Sequence, residues 1–369
     1  MSSIAVHGIS VIASLTLLVH MSSAPTQPAN AVQQVATLRT ARAAHTATTL
    51  PSGQVLMAGG MADGGGSLSS VELFDPANNT VQEAGNLAAR RAGHTATLLD
   101  NGRVLIAGGY SGEYLASLEV FDESTKRFHP AGSLEQARSG HTATLLPGGR
   151  ILFTGGVGKD WTFLRSAEVY DPITGRSEPV GSMAVPRESH TATLLADGRV
   201  LIIGGHTGRR PNQVLQAGAE VFSPQTRRFE TAGSLLTARH KHDAIRLTDG
   251  RVLVIGGADR TDRNHYATTE FHNPATATFE RGPSMTHRRY KIAGTSVLLS
   301  GGDVLVTAGA PVVELLDVKS GIFREVAGRL PAAYRFAAAA PLRDGDVFVT
   351  GGYSDANQNT AGIWRFRRP

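Results

Sequence analysis

One phrase recurs seven times along this chain, and that recurrence leaves few folds open to it. The phrase is close to R-x-x-H-T-A-T-L-L-x-x-G-R-V-L-x-x-G-G, and its Gly-Gly pairs return about every 49 residues. Five clear copies and two weaker ones span Arg42–Gly60, Arg91–Gly109, Arg138–Gly156, Arg187–Gly205, Arg239–Gly257, Arg288–Gly309 and Arg335–Gly352. A fixed period of this length is the mark of a protein built from repeated copies of one supersecondary unit.

Each unit can be interpreted as four short strands, and the second copy shows them best. The small residues of His94–Leu99 suit an innermost strand, and Asp100–Gly102 is a hairpin turn. The continuous apolar run Arg103–Ala107 is typical of a strand buried on both faces. Ser117–Phe121 and Arg127–Pro130 supply the third and fourth strands.

Counting these strands predicts both the number of blades and the closure of the ring. The first three strands occur seven times, the last third strand being Gly362–Phe366, but no seventh fourth strand precedes Pro369. A strand-like segment, Ala31–Leu38, stands before the first copy. We therefore predict an all-β, seven-bladed β-propeller of four-stranded blades, closed where this N-terminal strand pairs with residues 361–367.

The Gly-Gly pairs, the Glu-Val-Phe/Tyr-Asp-Pro strands and the arginine before the first strand resemble kelch repeats in their bacterial form. The resemblance covers about residues 32–367. It departs from the usual pattern in the fourth strand, where Phe mostly replaces Trp, as at Phe128, Phe229, Phe279 and Phe323. It implies the propeller fold and leaves function open, because kelch propellers include interaction modules, galactose oxidase-like enzymes and sialic-acid mutarotase-like enzymes.

The composition excludes several kinds of chemistry. The chain has no cysteine, which excludes disulfides, thiolate metal sites and a Cys nucleophile. It also excludes the copper cofactor of galactose oxidase-like enzymes, which needs a Tyr crosslinked to Cys. P-loop, G-x-S-x-G and sialidase-type Asp-box motifs are absent from the sequence. His240 and His242 share one side of an extended segment, but two ligands do not make a metal site, so we expect neither cofactor nor metal.

The net charge of +5 bears on the partners. Lys and Arg are spread along the chain without forming a basic stripe, which argues against nucleic acid as a partner. A mild attraction for anionic ligands such as an acidic polysaccharide fits better.

The first thirty residues indicate export. Residues 8–19 form an apolar run that is too short for a membrane helix of ~20 residues but fits a signal peptide. Small residues at Ser22–Ala24 and Ala29–Ala31 offer cleavage sites. We expect a signal peptide over residues 1–31, cleaved at or before Ala31. The propeller over residues 32–369 would then lie in the periplasm or outside the cell, with no membrane span.

The arginine that opens each copy allows two interpretations. It could pair with a third-strand glutamate, of which there are six: Glu72, Glu119, Glu168, Glu220, Glu270 and Glu314. It could instead belong to a basic ring at the channel mouth that binds carboxylates or sulfates. Ile363 stands where the seventh glutamate would be, so one-to-one pairing would leave Arg335 free for an anionic ligand.

Candidate ligand-binding residues belong to the loops of the face that carries the channel mouth. They are Arg335, Arg288, Arg239, Arg187, Tyr110, Trp161, His265, Tyr290 and Tyr353. The aromatic residues could stack on sugar rings, and Tyr290 with His265 could form an acid–base pair. The repeated histidines His45, His94, His141, His190 and His242 are expected to be structural, because a ring of side chains cannot converge on one metal.

Two functions remain open. The first is an exported scaffold that binds a protein or a glycan through its loop face. The alternative is a carbohydrate-active enzyme, a lyase or sugar epimerase, that acts on acidic glycans. The alternative predicts a channel pocket on which Arg, His and Tyr from several blades converge.

Overall fold

The computed structural model describes residues 29–368, so the expected signal peptide lies almost wholly outside the described residues. Within this range the chain forms thirty-two strands, β1–β32, and one short 3-10 turn at Lys159–Trp161. Seven antiparallel four-stranded sheets are the blades, which confirms the seven-bladed all-β propeller. Two small hairpins, β12–β13 and β18–β19, extend the loops after the Gly-Gly pairs of blades 3 and 4.

The blades follow one another along the chain, and in each of them the strands run in order from the channel outward. Blade 1 consists of β2 Thr46–Thr49, β3 Val55–Ala58, β4 Ser70–Asp75 and β5 Thr80–Asn86. Blade 2 consists of β6 Thr95–Leu98, β7 Val104–Ala107, β8 Ser117–Asp122 and β9 Arg127–Ser133. Blade 3 consists of β10 Thr142–Leu145, β11 Ile151–Thr154, β14 Ala167–Asp171 and β15 Arg176–Pro179. Its added hairpin is β12 Val157–Gly158 and β13 Thr162–Phe163.

The remaining blades keep the same order. Blade 4 consists of β16 Thr191–Leu194, β17 Val200–Ile203, β20 Gly218–Ser223 and β21 Arg228–Ser234, with the hairpin β18 His206–Thr207 and β19 Val214–Leu215. Blade 5 consists of β22 Asp243–Arg246, β23 Val252–Ile255, β24 Thr269–Asn273 and β25 Thr278–Arg281. Blade 6 consists of β26 Ser296–Leu298, β27 Val304–Val306, β28 Glu314–Asp317 and β29 Ile322–Glu325. Blade 7 consists of β30 Ala338–Pro341, β31 Val347–Thr350, β32 Gly362–Arg367 and β1 Ala31–Thr37.

The ring closes as the sequence predicts. Strand β1 pairs antiparallel with β32, in a register that joins Ala31 to Arg367 and Thr37 to Gly362. The innermost strand β30 of blade 7 also contacts the innermost strand β2 of blade 1. The two ends of the described chain therefore share one blade, and each blade has a neighbour on both sides.

The core lies between neighbouring blades. The second strand of every blade is buried along its full length, and its side chains pack against the next blade. Leu56 and Leu73 of blade 1, for example, form one cluster with Val104, Ile106 and Phe121 of blade 2. Truncating such a residue costs about 2–5 kcal/mol, so this packing between blades stabilises the ring.

A buried arginine–glutamate pair fixes the start of six blades, which confirms the pairing interpretation for them. In blade 1 the Arg42 guanidinium donates to Glu72 at 2.6 Å and to the carbonyl of Gly59 at 2.8 Å. Glu72 also accepts the backbone N–H of Arg39, so it anchors the segment that enters the blade. The other pairs are Arg91–Glu119, Arg138–Glu168, Arg187–Glu220, Arg239–Glu270 and Arg289–Glu314.

The structure corrects the sequence alignment in blade 6. The arginine that pairs with Glu314 is Arg289, at 2.7 Å, whereas Arg288 is exposed. The two arginines are adjacent in sequence, and only Arg289 lies where its carbonyl accepts the N–H of Gly257 in the preceding blade. Arg288 therefore points away from the position that the repeat assigns to it.

Blade 7 differs from the expected alignment by one residue at both positions. Tyr334 holds the arginine position, because its carbonyl accepts the N–H of Gly309, as the carbonyl of Arg91 accepts the N–H of Gly60. Trp364, and not Ile363, holds the glutamate position, because it pairs with the second strand as Glu72 does in blade 1. An aromatic pair thus replaces the ion pair in this blade.

Candidate functional site

A ring of seven residues surrounds the mouth of the central channel, two positions after the arginine position of each blade. A chain of backbone hydrogen bonds of 2.8–3.5 Å links these residues around the channel, for example from Lys291 N to the carbonyl of Lys241. All seven line the cavity at the mouth. This inner ring consists of Ala44, Gly93, Gly140, Ser189, Lys241, Lys291 and Phe336.

Every residue of the inner ring has a left-handed backbone conformation. The value of φ is 54° at Lys241, 57° at Lys291 and 51° at Phe336. A side chain in this region costs roughly 1–2 kcal/mol, which explains the two glycines in blades 2 and 3. Long side chains persist in blades 5, 6 and 7 despite that cost. Strained backbone conformations are concentrated at functional sites. The long side chains of blades 5–7 are therefore the candidates for function in this ring.

The inner ring opens into a cavity of about 770 Å³. The small residues of blades 1–4 leave the space open on one side, and the large ones of blades 5–7 fill the other. The loop after the Gly-Gly pair of blade 4, residues 206–216, crosses the mouth. It places Arg209 over the Trp161 ring at 3.6 Å and Arg210 against Asp262 at 2.5 Å.

Lys241 is held in an ion-paired cluster on the blade 5 side. Its ammonium donates to Asp262 at 2.6 Å, and the same carboxylate lies 2.5 Å from Arg210 and 2.7 Å from His240. Burial would raise the pKa of Asp262, but its interactions with His240 and Lys241 outweigh this and hold that pKa below its usual range. Asp262 therefore stays ionised and forms ion pairs with both Lys241 and Arg210.

Lys291 has a different environment, although it holds the equivalent position in the next blade. Its ammonium donates to the Tyr353 hydroxyl at 2.5 Å and lies 5.2–5.3 Å from the ring centroids of Tyr290, Phe336 and Tyr353. Among residues 29–368 no carboxylate forms an ion pair with it. Burial lowers the pKa of Lys291 despite the attraction of Asp262.

Two histidines face each other on the blade 4 side of the mouth. His206 Nε2 lies 2.8 Å from the Glu188 carboxylate, and the rings of His206 and His240 are 4.9 Å apart in an edge-to-face arrangement. His240 Nδ1 also contacts the Gln213 amide at 3.1 Å. Burial lowers the pKa of His240, although Asp262 opposes this. These groups can accept and donate protons at the wall of the cavity.

An aromatic ledge lies on the opposite side, in blades 2 and 3. It consists of Tyr110, Tyr114 and Trp161, with ring centroids 5.1 and 6.0 Å apart. The Trp161 side chain is among the most exposed large apolar side chains of the described residues. Exposed aromatic faces of this kind can stack on a sugar ring.

The candidate pair His265 and Tyr290 comes together in the structure. Their rings stack with centroids 3.7 Å apart and an angle of 14° between the planes. The Arg335 guanidinium also packs against Tyr290, 4.9 Å from its ring centroid, and pairs with Asp355. Arg335 therefore has a carboxylate partner, and the expectation that it lacks one is wrong. It gains Asp355 because it lies one position beyond the arginine of the repeat.

The other candidates fall into two groups. Arg187 and Arg239 are buried in their ion pairs and do not line the cavity, and Arg288 is exposed away from its expected position. Tyr110 and Trp161 line the cavity directly, while Tyr353 reaches it through Lys291.

Sequence reasoning missed several of the residues that define the mouth. These are Glu188, His206, Arg209, Arg210, Lys241, Asp262 and Lys291. One signal for the lysines was present: the position two residues after the arginine is Ala, Gly, Gly and Ser in blades 1–4 and then Lys in blades 5 and 6.

The repeated histidines link neighbouring blades. Nε2 of His94, for instance, lies 3.3 Å from the Thr46 hydroxyl of the preceding blade, and His141, His190 and His242 make the same contact. These contacts between blades are the structural role that the sequence predicts for the repeated histidines. His242 faces Thr191 and His240 faces Asp262, so these two histidines do not share a site.

The fold and the site define the class of protein: a seven-bladed β-propeller with a cationic and aromatic cavity at one end of its channel. The kelch motif family matches residues 90–135, which cover blade 2 and its entering arginine. The chain is thus a seven-bladed β-propeller in which one blade matches the kelch motif. No protein with a curated function matches it significantly in sequence.

A solved structure shares the architecture. It is a fungal alcohol oxidase with catalytic diversity among the AA5 family, in complex with copper. It is similar to this chain with a TM-score of 0.72 and 16% sequence identity, over 92% of this chain and 76% of that one. A likeness at this identity shows the fold and leaves the chemistry of the site to be argued from this chain's own residues.

The residues of this chain do not fit the copper that the oxidase holds. The sequence has no cysteine to crosslink to a tyrosine. Within residues 29–368, no three His, Asp or Glu side chains are grouped so that they could hold a metal ion. The site of this chain therefore has to be understood from its lysines, histidines, carboxylates and aromatic rings.

Proposed function

We propose that this propeller binds an acidic carbohydrate in the mouth of its central channel. The observation that carries the proposal is Lys291, a cation at a strained position of the inner ring that faces the cavity without a carboxylate partner among the described residues. A half-buried cation that lacks an anion favours a ligand that supplies one.

The charge balance of the cavity wall supports an anionic ligand. Four cationic residues line the cavity, Arg209, Arg210, Lys241 and Lys291, against two carboxylates, Glu188 and Asp262. The wall thus carries two more positive charges than negative ones while its histidines are neutral. An unbalanced wall in a concave site raises the local concentration of anions.

The aromatic ledge supports a sugar as the carrier of that charge. Tyr110 and Trp161 present ring surface on the side of the cavity opposite Lys291. A sugar ring could stack on the ledge while its carboxylate or sulfate reaches the lysine. The volume of about 770 Å³ suits a small ligand better than a folded protein segment. A protein partner would instead use the outer loops of this face.

Calorimetry on the purified propeller tests this function directly. The titrants are uronate, sulfated and sialylated oligosaccharides, with neutral oligosaccharides of the same length as matched controls. The proposal expects binding of an acidic member that weakens as salt increases, and no binding of its neutral counterpart. Equal binding of both, or of neither, would count against an acidic carbohydrate and direct attention to protein partners.

One observation favours a second function, a carbohydrate-active enzyme such as a lyase or epimerase. Glu188, His206, Lys241 and Lys291, from three successive blades, line the same cavity, and the buried ring of His240 packs against His206. Such groups can remove a proton next to a carboxylate and return one. Incubating the bound glycan with the propeller, and following ultraviolet absorbance for an unsaturated product and NMR for an epimer, separates turnover from binding.

We propose in addition that the chain is exported and that its signal peptide ends before Asn30. Asn30 accepts the N–H of Ala327 and donates to the carbonyl of Arg367, and Ala31 begins the closing strand. Cleavage after Ala31 would remove these contacts, so the earlier small residues, Ser22–Ala24, offer the better site. No helix within residues 29–368 is long and apolar enough to cross a membrane. The mass of the N-terminal peptide of the exported protein tests the cleavage site.

A further inference from the structure

Two of the five lysines of this chain stand at equivalent positions of neighbouring blades, and their surroundings differ. The others, Lys126, Lys159 and Lys319, are exposed. Burial lowers the pKa of Lys241, but the Asp262 carboxylate at 2.6 Å opposes this and favours its ammonium form. The ammonium group of Lys291 has only the Tyr353 hydroxyl at 2.5 Å as a hydrogen-bond partner among the described residues.

The environment of Lys291 is that of an activated amine. Burial lowers the pKa of Lys291, and the nearby charges of Arg335 and Arg210 lower it further, against the attraction of Asp262. The surrounding aromatic rings attract the ammonium form, but they also exclude the water that would solvate it. A lysine removed from water and set beside other cations is the kind that acts as a nucleophile.

We propose that Lys291 captures the carbonyl group of an acidic carbonyl compound as an imine. The open-chain form of a uronic acid is a carbohydrate that carries both the aldehyde and the carboxylate, so the inference deepens the proposed function and rests on it for the ligand. Lys291 lines the cavity, which gives a small carbonyl compound direct access to Nζ. The cations of the cavity wall outnumber its carboxylates, and this excess attracts the carboxylate of the compound.

The step balances without any further reactant. The free amine attacks the carbonyl carbon and forms a C–N bond, while one of its two protons passes to the carbonyl oxygen. The second nitrogen proton then leaves with the new hydroxyl group as water, and the C=N bond forms. Tyr353 is placed to transfer these protons, because its hydroxyl contacts Nζ directly. One amine and one carbonyl give one imine and one water, and nothing is oxidised or reduced.

Reductive trapping on the wild-type protein tests the proposal with four internal controls. The protein is incubated near pH 7 with sodium cyanoborohydride and either D-glucuronate or uncharged propanal, and all five lysines are then compared by peptide mass mapping. A lowered pKa raises the fraction of free amine at this pH. We expect Lys291 to carry more reduced adduct than Lys241 or any of the three exposed lysines.

The outcomes separate this inference from the proposed function. Adducts spread evenly over the lysines, or concentrated on the exposed ones, would overturn the inference. Calorimetric binding of glucuronate without an adduct on Lys291 would overturn the imine and keep the acidic ligand. Selective capture of propanal without binding of glucuronate would keep the nucleophile and overturn the acidic ligand.

Two variants check the roles of the residues. Lys291→Arg keeps the positive charge and should abolish the selective adduct. Tyr353→Phe should slow its formation by at least about tenfold while leaving Lys291 the preferred lysine, because the proton relay is lost and the amine is not. An unchanged rate in Tyr353→Phe would remove Tyr353 from the step.

Discussion

Tyr334 packs against Trp364 in blade 7, at the two positions where the other six blades bury an arginine–glutamate pair. The ring centroids are 5.3 Å apart, and both side chains are buried. A buried ion pair carries a large desolvation cost, so well-packed apolar side chains can serve the same structural purpose. Within one chain, the segment that enters a blade is therefore anchored by a buried ion pair in six blades and by an aromatic pair in blade 7.

The ion pairs of the other blades should be costly to break one partner at a time. We predict that Arg91→Leu lowers the free energy of unfolding by about 3–5 kcal/mol, because it leaves Glu119 buried without its partner. Urea unfolding followed by fluorescence measures the loss. Arg103→Leu is the control, since its partner Asp122 lies at the surface and such pairs contribute about 0–1 kcal/mol.

The aromatic pair of blade 7 suggests a rescue of the same site. The double variant Arg91→Tyr with Glu119→Trp should lose less stability than either single change, because no charge remains buried. A double variant that is less stable than both single variants would show that blade 2 cannot accommodate the aromatic solution.

A hydroxyl group added at position 338, next to His45, should stabilise the protein. The other repeated histidines contact a threonine of the preceding blade, but blade 7 offers Ala338 at that position, and both ring nitrogens of His45 lack a protein partner. We predict that Ala338→Thr raises the free energy of unfolding by about 1 kcal/mol. Ala338→Val has nearly the same shape without the hydroxyl, so a gain of equal size in that variant would rule out the hydrogen bond.

The buried histidines predict a loss of stability in mild acid. Burial lowers the pKa of His94 and of His190 to about 3, and the neighbouring arginines contribute. The unfolded chain then binds more protons than the folded one between pH 6.5 and 3, so the stability is complete above this range and decreases as the pH falls through it. Each such histidine should cost about 2 kcal/mol at pH 5.

Urea unfolding at pH 7.5 and at pH 5 measures this dependence. His94→Gln should be less stable than the wild type at pH 7.5 but should lose less on acidification. His129 is exposed, so His129→Gln should follow the wild type at both values. A wild-type protein that is equally stable at both pH values would contradict the account.

The closing strand can be tested with two changes of the same kind. Val32 is buried in the core between blades 6 and 7, whereas Gln33 on the same strand is exposed. We expect Val32→Asp to lower the free energy of unfolding by about 3 kcal/mol or more, because it buries an unpaired charge. Gln33→Asp should have little effect. Similar stability of the two variants would mean that this strand does not hold the ring.

The fold was predictable because the same strand pattern occurs seven times along the chain, so a weak copy can be recognised from the clear ones. Aligning every copy to one shared pattern also caused the one-residue errors in blades 6 and 7. Arg288 and Arg335 were matched to the repeat by their residue type, but each has a neighbour, Arg289 or Tyr334, that takes the position in the structure. A shift of one residue is invisible in a pattern of residue types, yet it decides which side chain is buried and which reaches the mouth.

The candidate site was predictable only in part. The exposed aromatic residues Tyr110 and Trp161 were found because they lie in the loops that vary between copies. The residues that matter most for the charge of the mouth, Lys291 and Asp262, lie in different blades and line one cavity only because the ring curves. Nothing in the sequence gives the distance between them, which depends on how blades pack.

The most direct test of the account compares two lysine variants in one binding assay. A uronate disaccharide is titrated by calorimetry into the wild type, into Lys291→Ala and into Lys319→Ala, the last being an exposed control on blade 6. Alanine at position 291 is compatible with the ring, since Ala44 holds that position in blade 1 with φ of 50°. We predict that Lys291→Ala weakens binding by about tenfold or more and that Lys319→Ala leaves it unchanged. Equal binding by all three proteins would contradict the claim that the mouth of the channel recognises an acidic carbohydrate.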